Sequence, residues 1–436
     1  MKALSKDRSV VGWVLYDWAN SSFALTAMAL FFPIFFKTWW NAGVAESLST
    51  ARLGFGHALA GLLIALCSPL LGAMADVRFG KKRLLVLFML LGACCTGALA
   101  LVAQPLWLVA LVVFMLARVG FSLANIFYDA LLGDVAGPGQ LHRVSSWGYG
   151  MGYLGCGLLG VVNVVMVSAP QWFGLASKAD AVRWSFVSVC VWWIVFSLPL
   201  MVWVRERPPV GRGSTLALMG ESVRAMVATG RSIGRRRELL LFLIAFWLYH
   251  DGVHAFVMMA TDFGLSIGIE AKGLMVALLV VQFVAFPAAL VFGWLANRIG
   301  AKRSILIAIA IYVVVCLLGA ALLKTQLHFM LLAALTGSAQ GAIQALSRSL
   351  FASLVPAEKA GEYFGFYNMI GKFSMVLGPA IVGGVGLAAV KLGVDTQLAP
   401  RLGIGSLSLL FIGGGVLLWL VRLPSAVEEL AAAQTA

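Results

Sequence analysis

Asp17 and Asn20 stand inside the first apolar run of the chain, in the stretch LYDWANSSFA at residues 15–24. With Ser21 they recur three and four residues apart, which places them on one face of a helix. A carboxylate there could carry a proton or bind a substrate amine, and it could equally anchor helix packing. Tyr16 beside it adds a hydroxyl. Arg118, Asn125 and Asp129 follow one another at spacings of seven and four. Arg118 is the best candidate to hold an anionic group such as a carboxylate, with an ion pair to Asp17 or Asp129 as the structural alternative. The stretch WLYHDGVHAF, 247–256, carries Tyr249, His250, Asp251 and His254. Imidazole titrates near neutral pH, so histidine next to carboxylate suits proton coupling, and Gly252 is expected to loosen the helix there. Two His and one Asp without further ligands do not make a metal site, and neither metal nor cofactor is expected. Gln340, Gln344 and Arg348 stack at spacing four, as do Asn368 and Lys372. Lys372 lies deep in its apolar run and is expected to pair with an acid or bind substrate.

These polar groups matter because of what surrounds them. The 436 residues are 61% hydrophobic and only 11% charged, with a mean hydropathy of +0.95. Soluble domains carry about 25% charged residues. A helix needs about 20 apolar residues to cross a bilayer, and twelve such runs are legible, at roughly 11–36, 53–75, 84–103, 106–133, 145–168, 183–204, 239–263, 273–296, 304–323, 328–353, 362–388 and 403–422. The chain therefore reads as an all-α polytopic membrane protein. An ionised group at mid-bilayer costs about 2.5–3.5 kcal/mol, so the residues named above should face the bundle interior.

The net charge of +14 does not point to nucleic acid. Its Lys and Arg concentrate in the loops that follow the even-numbered spans and at the start of the chain, as the positive-inside rule requires. That distribution places both termini in the cytoplasm. All six cysteines lie within apolar runs, with no disulfide or metal spacing. The stretch 205–238 has apolar residues at helical spacing (Leu216, Met219, Val223, Met226, Val227, Ile233) among Arg224, Arg231 and Arg235 to Arg237. It reads as an amphipathic helix at the bilayer surface. The domains are thus 1–204, a first six-helix bundle; 205–238, a cytoplasmic linker; and 239–436, a second six-helix bundle with a short tail.

An internal repeat supports two halves. GAMADVRFGKKR (72–83) follows the second span and GWLANRIGAKR (293–303) follows the eighth. Both resemble the Gly-x-x-x-Asp-Arg-x-Gly-Arg loop of the major facilitator superfamily, which implies two pseudo-symmetric six-helix bundles. Gly72 and Gly293 would let helices approach, and Gly80 and Gly300 would make tight turns. Asp76 with Arg83, and Asn297 with Arg298, would form the gating loops, with a charge latch where the acid survives. The first copy carries one extra residue before Gly80, and Asn297 replaces the acid in the second. LYDWANSSFA, FYDALLGDVA (127–136), RVSSWGYGMGYLGCGLLG (143–160) and QALSRSLFASLVPAEKAGEYFGFYNMIGKFSMVLGP (344–379) together resemble the Atg22-like vacuole effluxers among major facilitators. The resemblance runs from residue 10 to about 385. It implies a transporter, and fungal members of that family are associated with amino-acid efflux.

The expected function is alternating-access transport of a small zwitterionic or anionic metabolite, proton-coupled and exported through a bacterial inner membrane. A monomer in the lipid bilayer is expected, with no nucleic-acid partner. A multidrug/proton antiporter is the alternative, and a non-transporting receptor or scaffold is a third reading. No His-Glu-x-x-His, Gly-x-Ser-x-Gly with partners or phosphate-binding glycine loop points to an enzyme.

Overall fold

The computed structural model describes residues 7–137, 139–209, 215–266, 271–323, 325–374, 377–394 and 398–422. Lys2, Lys6, Arg212 and the tail after Arg422 lie outside the described residues, as do the side chains of Leu216 and Met219. Twelve helical spans are long and apolar enough to cross a membrane. They are α1 (Arg8–Trp40), α2 (Leu48–Phe79), α3 (Lys81–Leu101), α4 (Trp107–Val135), α5 (Leu141–Ser168) and α6 (Lys178–Trp203), then α7 (Arg237–Met259), α8 (Gly273–Ile299), α9 (Ala301–Leu322), α10 (Gln326–Leu354), α11 (Ala357–Ala389) and α12 (Arg401–Leu420). Their number and order are those read from hydropathy. A further helix, Thr215–Arg235, links α6 to α7.

Burial is arranged for an apolar solvent. On α2, Leu59, Leu62, Leu63 and Leu66 are exposed, and on α12 so are Leu409, Ile412, Val416 and Trp419. These recur at helical spacing and form apolar stripes on the outside. Asp17, Asn20, Arg118, Asp129, Asp251 and Arg348 are buried inside. Such an inversion fits lipid, where only helices satisfy the backbone and charges are confined to the interior.

The helix pairings repeat between halves. α1 packs on α6 as α7 packs on α12, α3 on α4 as α9 on α10, and α2 on α4 as α8 on α10. Between halves the main contacts are α2 with α11, and α5 with α8 and α10. Both repeated loops turn through glycines that need positive φ: Gly80 at 80° and Gly300 at 90°. α1 departs from the regular helix expected of it. Phe23–Phe31 is wound more widely, and the N–H of Phe32 reaches back to Ala27 O five residues earlier. Wide turns of this kind are common at functional sites.

The halves meet most closely on the side that carries the linker helix. A Cβ added to Gly72 of α2 would stand 2.1 Å from the carbonyl oxygen of Gly361 on α11, and one on Gly365 would stand 2.6 Å from Ser68 O. Toward the opposite side, Gly54 and Gly61 of α2 and Gly383 and Gly384 of α11 meet nothing within 4 Å. The first piece of α11, Ala360–Phe373, packs along α2, whereas the second, Leu377–Lys391, packs instead on α7 and on Ala399–Ser406. α2 and α11 thus converge on the linker side and part beyond it. α5 and α8 stay together over a longer stretch, from Gly293 against Ser146 to Gly160 against Leu279. A Gly361→Val substitution should wedge α2 from α11, since overpacking a tight contact costs about 1–3 kcal/mol. In a cysteine-free background, labelling of Ser68→Cys by a membrane-impermeant maleimide should then accelerate by roughly ten-fold. An unchanged rate would show that the backbone contact does not seal this side.

Candidate functional site

The most heavily engaged charge in the interior is Arg348. It lies near the linker-side end of α10 and is 2% exposed. Its Nη1 meets Asp17 Oδ2 of α1 at 3.4 Å and Asp129 Oδ1 of α4 at 3.2 Å. Nε and Nη2 donate to the hydroxyl and carbonyl oxygens of Ser145 on α5, at 2.9 and 3.0 Å. Three aromatic rings surround the guanidinium: Trp13 at 4.7 Å, Tyr128 at 5.2 Å and Tyr149 at 4.1 Å. Planar, delocalised Arg stacks on rings as Lys does not. Tyr128 also donates to Asp17 Oδ2 at 3.0 Å, and Trp13 Nε1 donates to Tyr128 O at 2.9 Å. A cation from the second half is thereby held by two acids, a serine and three rings from the first. The small residues of α5 make room, because a Cβ on Gly148 would lie 3.0 Å from both Arg348 and Asp17.

Hydrogen bonds continue this contact between halves. Tyr153 on α5 donates to Gln344 Oε1 at 2.5 Å, and His142 meets Ser349 Oγ at 2.8 Å. Within the first half, Asn20 donates to Asn125 Oδ1 at 2.6 Å. The alternative ion pair of Arg118 with Asp17 or Asp129 is not what the structure has, since Arg348 takes both acids.

Arg118 binds elsewhere. It meets Nδ1 of His57 on α2 and donates to that residue's carbonyl oxygen at 3.2 Å. Lys372 of α11 has no hydrogen-bond or ion-pair partner among the described residues, so the expected acid is absent. Arg118 and Lys372 come from opposite halves, on α4 and the first piece of α11, which pack against each other. His254 lies on α7, which packs on the same piece of α11. His250 and His254 meet edge to face one turn apart on α7 with ring centroids at 4.5 Å, and His250 Nδ1 meets Ser374 Oγ at 2.8 Å. No carboxylate pairs with either cation among the described residues.

Asp251 does not join them. It accepts from the backbone N–H groups of Leu377 and Gly378, at 2.9 and 3.0 Å. Those groups open the second helical piece of α11, Leu377–Lys391, the first being Ala360–Phe373. The acid is a cap borrowed from another helix. Gly252 does not loosen α7, which is helical through it; a Cβ there would stand 2.9 Å from the Phe411 ring. Tyr249 is bonded to Ser347 at 2.7 Å, and Asn368 turns back to Phe364 O at 3.0 Å. Tyr16 Oη and Gln340 Oε1 are buried without a hydrogen-bond partner among the described residues. Gln340 also lines an apolar pocket of about 90 Å³ in the second half, walled by Phe256, Val281, Phe329 and Leu332, whose lining includes neither Arg118 nor Lys372.

The repeated loops differ from their expected charge latch. Asp76 accepts the backbone N–H of Glu362 at 2.9 Å instead of a basic side chain. The latch forms beside it, where Lys81 meets Asp134 at 2.9 Å and Arg207 bridges Asp134 at 3.4 Å and Glu358 at 3.1 Å. Arg83 is exposed, as are Asn297 and Arg298, and Arg298 lies 4.3 Å over the Trp294 ring. His57, Ser145, Tyr149 and Glu362 were not singled out by sequence. Of these only His57, a histidine deep in an apolar run, carried a signal that could have found it.

Removing one partner of a buried ion pair leaves a bare charge and costs about 3–5 kcal/mol. Arg348→Ala should therefore lower the melting temperature markedly, and adding Asp17→Asn and Asp129→Asn should restore much of the loss. Thermal unfolding of the purified variants checks this. A triple variant no more stable than Arg348→Ala would mean that the acids do not depend on Arg348.

Comparison with known proteins agrees with this architecture. The profile of the family described as Vacuole effluxer Atg22 like matches residues 48–140 and 138–431. An uncharacterized MFS-type transporter of Bacillus subtilis (strain 168), YxiO, is 35% identical over 422 residues, covering 96% of this chain and 95% of its own. Autophagy-related protein 22 of Eremothecium gossypii is 22% identical, covering 86% of this chain and 85% of its own. Among solved structures, the human organic anion transporter MFSD10 superposes with a TM-score of 0.71 at 13% identity, over 94% of this chain and 99% of that one. The proton:xylose symporter XylE gives 0.68 at 14% identity, over 95% and 94%. The structural neighbours share the fold, and the sequence matches carry the kinship: the chain belongs to the Atg22-like vacuole effluxer family of major facilitator transporters.

Proposed function

We propose that this secondary transporter moves a small organic anion, or an amino-acid-like zwitterion held by its carboxylate, by alternating access between its halves. The observation that carries this reading is the pair Arg118 and Lys372, contributed by opposite halves on helices that pack together and bonded to no carboxylate among the described residues. Two such cations repel until an anion sits between them, and the anion then draws both halves toward itself. Asp17, Asp129 and Asp251 are occupied by Arg348 and by the α11 cap, which leaves the carboxylate rather than the amine of a zwitterion as the group recognised. The human neighbour is described as an organic anion transporter, but the present reading rests on these two residues.

The linker side carries the basic loops, including Arg78, Lys82, Arg298 and Arg303, so by the positive-inside rule it faces the cytoplasm with both termini. A bacterial inner membrane fits the Bacillus relative. Closure on the linker side then makes this an outward-facing state. Export against proton entry is the coupling that we assign to the imidazoles of His57, His250 and His254, the side-chain type whose charge most readily changes in the physiological range. The alternative of a multidrug/proton antiporter is favoured by one observation, the apolar pocket lined by Phe256, Val281, Phe329 and Leu332 in the second half.

Reconstituted vesicles test both. Counterflow of a small carboxylate or amino acid should fall by roughly 10–100-fold in Arg118→Gln and in Lys372→Gln, the loss expected of a charged hydrogen bond. Lys372→Arg should keep much of the activity. Apolar cations transported equally by all these variants would favour the drug reading. In the coupled direction, acidifying the outside should accelerate efflux, and His254→Gln should remove that acceleration while counterflow persists. Efflux indifferent to the pH gradient in the parent protein would sink the proton coupling.

A further inference from the structure

The linker helix, Thr215–Arg235, docks by a small and polar face. Ser222, Thr229 and Ile233, at spacings of seven and four, are buried against the bundle. Thr229 donates to the Glu362 carboxylate, Ser232 and Tyr363 share a hydroxyl contact at 3.2 Å, and a Cβ on Gly230 would stand 3.2 Å from the Phe366 ring. All three contacts fall on α11, in the second half. The same helix also packs along α2, in the first half. It therefore spans the place where the halves come closest. Glu362 joins the three elements, taking Thr229 on its carboxylate while giving its N–H to Asp76 of α2.

The opposite face of this helix meets no other element among the described residues. Arg224, Arg231 and Arg235 are exposed on it, and Arg236 and Arg237 follow directly. Val223 and Val227 lie among them, 46% and 42% exposed. Glu221 is the one acid in the helix sequence. This arrangement differs from an ordinary surface helix, because the apolar residues share the outward face with the arginines. The helix also lies against α2, whose outer face carries the exposed leucines Leu59, Leu62, Leu63 and Leu66. Arginines with short aliphatic groups between them, at the edge of a bilayer, match anionic headgroups in charge and depth.

We propose that this face binds anionic phospholipid headgroups of the linker-side leaflet, and that the bound lipid holds the two halves together on that side. The lipid contact and the α2–α11 contact are linked through the helix that makes both. Whatever stabilises the docked helix favours the state in which both halves are there to receive it. The effect is independent of which solute is carried.

The test uses the full chain without native cysteines, spin-labelled at Arg83→Cys and Lys359→Cys, which are exposed on opposite halves of the linker side. Distances are measured in nanodiscs of phosphatidylcholine alone and with about one-third phosphatidylglycerol. The ratio of short to long distances should rise at least about five-fold with phosphatidylglycerol. The triple variant Arg224→Gln, Arg231→Gln, Arg235→Gln should lose that rise, whereas the corresponding Arg→Lys triple should keep it. Thr229→Val should blunt it with its arginines intact. An equal ratio in both lipids, or a full response in the Gln triple, would overturn the proposal. So would a response to soluble polyglutamate but not to phosphatidylglycerol, which would assign the face to an acidic protein.

Discussion

A charge buried away from water must be met by other charges and dipoles, and Arg348 sets that requirement for much of the interior. Satisfying one guanidinium draws Asp17 from α1, Asp129 from α4, Ser145 from α5 and rings from α1, α4 and α5 to a single point on α10. Desolvation makes this costly to dismantle and geometrically demanding to form. Gly148 of α5 leaves room for it, and the contact of α5 with α10 runs past it. One side chain thus ties three helices of the first half to the second, beside the backbone contact of α2 with α11.

A second consequence concerns the groups left over. The acids of the interior are committed to structure: two to Arg348, Asp251 to the start of a helical piece, Asp76 to the N–H of Glu362. Arg118 and Lys372 have no carboxylate partner among the described residues. The acids of this interior join helices, and of its cations Arg348 does the same. The sequence alone could not show which cation the acids would take.

Much of the architecture was legible in the residues. The twelve spans follow from hydropathy, the two halves from the repeated glycine loops, and the polar shortlist from the penalty for charge in lipid. Spacing correctly groups residues on one face of one helix, as for Gln340, Gln344 and Arg348. It does not say which neighbouring helix that face meets. Arg118 and Arg348 are equivalent on such a reading, yet one binds His57 and the other binds both acids. Gly252 illustrates the same limit: a glycine beside polar residues suggests a break, and only the position of Phe411 shows that it is a clearance. Asp251 adjoins two histidines in sequence, but a turn of about 100° per residue sends it toward α11 instead.

The persistent contact of α5 with α8 has a mechanical meaning. Along that edge the halves stay together from Ser146 to Gly160, while α2 and α11 diverge from one end. A pair of rigid bodies joined along one edge turns about it like a book about its spine. Displacement then grows with distance from the spine. Groups on the α2 and α11 flank, among them His57 and Lys372, would sweep through a longer arc than Tyr153 and Gln344, which sit on the joined edge. The same angular step is therefore fine adjustment at the spine and a wide stroke at the flank where Lys372 stands.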